Sequence, residues 1–160
     1  MILEAYLGLF LLVLIGTAAL QGACQGSRVF CEAVREIMLR QVSDDLRARL
    51  GAYFLYRCRA VSVSRGSLGD TLTGTSILDG RRTVFYLAKP AGRRTAVLYV
   101  SVRNEGRAPG INPLTPPQFS VQDLALSLPA PGIVRWEMDI VHGRSGRKKH
   151  FNEVFCYDAW

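Results

Sequence analysis

The opening residues, MILEAYLGLFLLVLIGTAALQGAC, constrain this chain more than any other stretch. They are apolar apart from one acid, Glu4, and no charged side chain occurs from Ala5 to Ser27. At about 1.5 Å rise per residue, such a run crosses a hydrocarbon core of roughly 30 Å as a helix. Lipid demands a helix because it offers backbone N–H and C=O groups no partner. The charge is the unusual part. Secretory signals and ordinary anchors begin with Lys or Arg, whereas here the first charge is an acid placed where it enters the bilayer.

Three readings of this segment follow. One is a signal peptide or single-span anchor whose basic front end precedes Met1. Another is a lipoprotein signal ending at Cys24, which Gln21 fits poorly because an aliphatic residue belongs at that place. The third is a subunit of a helical filament, in which the acid pairs with a neighbouring subunit's amine. The remainder of the chain favours the third.

With the apolar leader set aside, 160 residues leave room for one compact domain of ordinary size. The net charge of +7 suits nucleic acid, anionic headgroups or acidic partners without choosing among them. The cysteines form no C-x-x-C and no metal spacing with His142 or His150, so neither metal nor cofactor is expected.

Residues 27–50 read as a second helical stretch, with Ser27 as N-cap and no proline. Phe30, Val34, Ile37 and Met38, then Leu46 and Leu50, recur at helical spacing, and charges fill the other face. A membrane-length helix thus runs into an amphipathic one, with Gly16, Gly22 and Gly26 as places to bend. After Gly51 the pattern alternates. Strands are expected over 53–65, 82–88, 94–102, 119–128, 133–142 and 149–157, with a short one in TSILD. GSLGDTLTGTS reads as a loop, Asp79-Gly80 as a turn, and NEGRAPGINPLTPP as irregular because its prolines exclude ladder bonds. In IVRWEMDIV, Val134, Trp136, Met138 and Ile140 fall on one face and Arg135, Glu137 and Asp139 on the other, the pattern of a half-buried antiparallel strand. The expected fold is α+β: a long N-terminal helix packed on a C-terminal antiparallel sheet. Its parts are a membrane half (1–26), an amphipathic half (27–51) and a β domain (52–160).

In its order of parts the chain resembles the type IV pilin-like family, in particular minor pilins and pseudopilins of secretion, pilus or competence systems. MILEAYLGLFLLVLI is similar to the family's mature N-terminus, where an acid interrupts an apolar helix. VSDDLRARL is similar to the helix leaving the membrane, and TVFYLAKPAGRRTAVLYVSV through VRWEMDIV and FNEVF to the globular half. The resemblance implies a single-pass membrane location with the globular part outside the cytoplasm. It also implies partners: other pilin-like subunits through the helix, an inner-membrane assembly platform, and a prepilin peptidase where a basic leader ending in Gly exists. Glu4 falls one place short of the family position, so one residue preceding Met1 is expected to bring it into register. In that position Glu4 is neutralised only when subunits dock in the right stagger, which makes it an assembly register. The structural counterpart is an acid favoured near a helix N-terminus.

Other residues are singled out more weakly. Cys24 and Cys31 stand about 10 Å apart along a helix, too far for a bond within the chain. Cys58 and Cys156 form a disulfide if the first and last strands are neighbours in an exported domain, and otherwise are two buried thiols. Arg144, Arg147, Lys148 and Lys149 make a basic hairpin that either contacts DNA or is simply solvated. No nucleophile–base constellation and no phosphate-binding glycine motif is present, so an enzyme is not expected. The alternative function is a membrane-anchored or secreted β-rich binding domain with no filament role.

Overall fold

The computed structural model describes residues 2–77, 80–92, 95–103 and 108–157. One helix, α1 (Ile2–Arg57), precedes eight strands. The chain divides into two units, Met1–Met38 and Leu39–Trp160. The first is helix alone.

The second unit begins with the C-terminal part of α1. Leu39, Ser43, Leu46, Leu50 and Phe54 are buried and recur every three or four residues, which puts them on one helical stripe. The stripe explains why the helix passes through Gly51 instead of stopping there. A mid-helix glycine costs about 1 kcal/mol, whereas burying a Leu or Phe side chain returns about 1.5–3 kcal/mol. The strand expected over 53–65 is corrected accordingly: Tyr53–Arg57 are helical, and β1 is Cys58–Arg65. Aromatic composition suggested a strand, but as a helical residue Phe54 is placed at the centre of the core.

The strands form two sheets instead of the single one expected. β1, β2 (Asp70–Ser76), β3 (Arg82–Ala88), β4 (Val97–Arg103) and β5 (Gly110–Pro113) make a five-stranded antiparallel meander. β6 (Phe119–Ala130), β7 (Ile133–His142) and β8 (Lys148–Cys156) make a three-stranded one. Short connections between antiparallel neighbours favour this sequential order. Pro131-Gly132, with Gly132 at φ 76°, joins β6 to β7 as a type II turn requires.

Two expected loops prove to be strands. DTLTGTS looked polar, yet as β2 it buries Leu72 and Ser76 on one face, and at Gly74 between them an added Cβ would lie 2.3 Å from Cys58 Sγ. GINP pairs with β4 in spite of its proline, because β5 is an edge strand and Pro113 leaves no central ladder bond unmade. The strand expected in TSILD is part of β2 only to Ser76; Leu78 and Asp79, and hence that turn, lie outside the described residues, as does Arg94. The alternation foreseen in β7 is present: Val134, Trp136, Met138 and Ile140 are all buried.

An aromatic cluster joins helix and sheets. Phe54 on α1 has its ring centroid 6.0 Å from Phe85 of β3, 6.1 Å from Trp136 of β7 and 5.5 Å from Phe155 of β8. Tyr53 meets Phe85 edge-on at 4.7 Å, and Phe85 meets Trp136 at 5.6 Å. Edge-to-face and offset contacts of this kind contribute beyond area burial. Phe54→Ala is therefore expected to cost about 3–5 kcal/mol of stability, read as a lower denaturation midpoint followed by circular dichroism; a loss under about 1 kcal/mol would contradict the central role given to this ring.

Candidate functional site

The N-terminal part of α1 is where the structure departs most from a self-sufficient fold. A soluble helix hides its apolar stripe; this one hides nothing. Leu3 is 83% exposed, Leu12 73% and Leu20 70%, and Tyr6, Leu7, Leu9, Phe10, Val13 and Ile15 are exposed too. Charges are missing around the whole circumference from Ala5 to Ser27, so no face is suited to water. The helix is long and apolar enough to cross a membrane, by length and composition, and a signal sequence meets the same description. Glu4 stands in the first turn on the exposed surface, where unpaired N–H groups favour an acid.

Further along, the stripe expected from Phe30, Ile37 and Met38 is exposed, and Val34 is half-buried. Burial begins at Leu39, which the periodicity did not single out. Cys24 and Cys31 are exposed free thiols on the same helix.

Cys58 and Cys156 are not brought together. Cys58 opens β1 at one edge of the larger sheet, and Cys156 ends β8 at an edge of the smaller one; both are free. The condition for a disulfide, adjacency of the first and last strands, is not met. Cys58 is fully buried against Gly74, whereas Cys156 is exposed. Burial pushes the Cys58 thiol up from 9.0 to about 11, with hydrogen bonding from Tyr53 and from the Thr75 backbone offsetting only part of the shift.

The basic hairpin is split by the strand alternation. Arg144 and Arg147 are exposed on the turn after β7, which is closed by N–H groups of Ser145 and Gly146 donating to the His142 carbonyl. Lys148 is on the outer face of the sheet, with Nζ 3.7 Å from Asp139 Oδ2. Lys149 is half-buried in the opposite row, with Phe151, Glu153 and Phe155. The alternation thus sets Lys149 apart from Lys148.

The outer face also holds a group that the linear pattern did not reveal. His150 Nδ1 is 3.0 Å from Asp139 Oδ1, and its Nε2 is 3.6 Å from Glu137 Oε1. Arg135 Nε donates to Asn152 Oδ1 at 3.1 Å. The alternation of β7 placed Arg135, Glu137 and Asp139 together; only the register with β8 adds His150 and Asn152. This solvated network of pairs fits a stable outer surface. A groove of about 240 Å³ between Val42, Asp45 and Arg49 of α1 and the segment Pro113–Pro117 brings together one acid and one base, and the Thr115 hydroxyl on its wall accepts from Leu98 N–H. Among the described residues no three His, Cys, Asp or Glu side chains are grouped to hold a metal ion.

The thiols give a direct check. Cys31 and Cys156 should react with a maleimide near neutral pH in the folded protein, and Cys58 should be labelled only on unfolding. Because the folded thiol titrates at about 11 against 9.0 unfolded, the unfolded chain loses its proton first. Stability should therefore be indifferent to this group below pH 9 and fall as pH rises from 9 towards 11, a dependence that Cys58→Ala should reduce. Rapid labelling of Cys58 in the native state would contradict its placement.

No protein-family model, curated protein or solved structure matches the chain.

Proposed function

We propose that the chain is a minor structural subunit of a type IV filament machine serving secretion, adhesion or DNA uptake. In this reading it is held in a cell membrane by the first part of α1, with the β-rich head outside the cytoplasm. One observation carries the reading: an uncovered, charge-free helical surface with a single acid, Glu4, in its first turn, continuous in sequence with a helix whose later residues form the core of an antiparallel head. An ordinary anchor needs the apolar surface but has no use for the acid, which costs several kcal/mol in hydrocarbon unless paired or protonated.

The mechanism is an exchange of environments. In the membrane, lipid covers the apolar surface, and a carboxylate there is costly to keep charged. In the filament, neighbouring helices cover the same surface, and the N-terminal amine of an adjacent subunit neutralises the carboxylate. The gain is realised only at the stagger that brings amine and acid together, so a single residue sets register. The partners of this reading are other pilin-like subunits, an assembly platform in the membrane and, where a leader is made, a prepilin peptidase. Arg144 and Arg147 on the exposed hairpin are the residues through which an uptake filament would touch DNA.

Glu4→Ala should leave the protein in the membrane fraction and reduce its cross-linking to other filament subunits about tenfold or more, as expected for loss of a charge pair in an apolar setting. Glu4→Ala that assembles and cross-links like the native chain would overturn the register role.

A further inference from the structure

Four strands end the two sheets: β1 and β5 in one, β6 and β8 in the other. An edge strand presents unpaired N–H and C=O groups, and proteins blunt such edges with bulges, prolines or short lengths. β1 shifts register between Arg59 and Ser62 and holds Ala60 at φ 51°. β5 has four residues and ends in Pro113. β6 shifts register twice and holds Asp123 at φ 53°. Its outward donors are also used, Val121 N–H by the Ala96 carbonyl and Leu126 N–H by Asp70 Oδ2, each at 2.9 Å. β8 has nine residues, no proline and an unbroken register against β7, though Lys148 and Lys149 place charge at its start.

The phase of that ladder fixes which backbone groups face outward. Tyr157 N–H donates to the Gly132 carbonyl at 2.8 Å, and His142 N–H to the Arg147 carbonyl at 2.9 Å. Odd-numbered residues of β8 are therefore bonded to β7. Antiparallel alternation then turns the N–H and C=O groups of Lys148, His150, Asn152, Val154 and Cys156 away from it. Among the described residues no strand pairs with this edge. Its outer side chains are exposed, including the apolar Val154 at 57%.

We propose that this edge pairs antiparallel with β8 of a second copy of the chain, joining two three-stranded sheets into one of six strands. Charge placement selects the occupant and the register. With Phe151 on the twofold axis, Lys149 of each copy lies opposite the partner's Glu153, where it joins the Arg47 that Glu153 already holds, Lys148 lies opposite Val154, and His150 opposite Asn152. Opposite charges across a strand pair stabilise it and like charges oppose it. A parallel arrangement in register would instead set Lys148 and Lys149 against themselves. The contact is isologous, and the new sheet ends in two copies of the blunted β6, so association closes at the dimer. The inference uses the head alone and stands apart from the filament reading.

The test is sedimentation equilibrium of the full chain in density-matched detergent micelles. Two variants accompany the native chain: Val154→Pro, which deletes an outward N–H and no β7 bond, and Lys149→Glu, which sets two acids opposite each other. The native chain should be a dimer, and each variant should weaken it about tenfold or more while circular dichroism and the thermal midpoint remain those of the native chain. Should Val154→Pro not fold, Lys149→Glu decides. A native chain that stays monomeric, whether or not its edge takes up a foreign peptide, overturns the proposal. So does a dimer that neither folded variant weakens, which would place association in the apolar helix.

Discussion

Apolar side chains left uncovered by the described residues limit what this molecule can be. Each large residue between Leu3 and Leu20 would gain about 1.5–3 kcal/mol on leaving water, and none of the described residues covers them. By length and composition the segment suits a membrane span or a signal sequence. The same helix later does the opposite, burying Leu39, Leu46, Leu50 and Phe54 within the head. One helix therefore carries an uncovered stretch and a buried one. Its sequence records both, charge-free until Ser27 and amphipathic after it.

Within the head, the constraint is convergence of rings. Phe54, Phe85, Trp136 and Phe155 come from α1, β3, β7 and β8, and their mutual contacts bring helix and both sheets to one core. Outside this core the polar residues pair locally. Arg47 of α1 bonds Glu153 of β8, and His150 lies between Asp139 and Glu137. These exposed pairs contribute little to stability individually, but those of His150 keep the outer face solvated and leave the edges as the places where another chain could add.

How much of this the sequence disclosed depended on the range of the deciding interaction. The apolar opening and β7 were legible because their patterns repeat locally: an unbroken uncharged run in one, strict alternation in the other. Tyr53 and Phe54 were misread because aromatic content suits a strand, while their helical state is decided by Phe85, Trp136 and Phe155, distant in the chain. β2 was missed because Gly74 and its threonines resemble a loop until Cys58 is seen packed against that glycine. The same holds at the sites: Glu4 was conspicuous as a lone charge, whereas the split of Lys148 from Lys149 and the company of His150 needed a register. The idea of a Cys58–Cys156 bond rested on adjacency of the first and last strands, which no local pattern encodes, and the two strands belong to different sheets.

The central claim is that the uncovered helix stays with the head and works in an apolar environment. The most direct measurement is the intact mass of the native protein recovered from membranes after alkaline carbonate extraction. The account predicts a membrane-retained species that still contains Glu4 and the whole apolar segment. A carbonate-soluble species whose mass begins after the apolar segment would contradict it, because the head would then be a free protein and the acid in the first turn would have no assembly to direct.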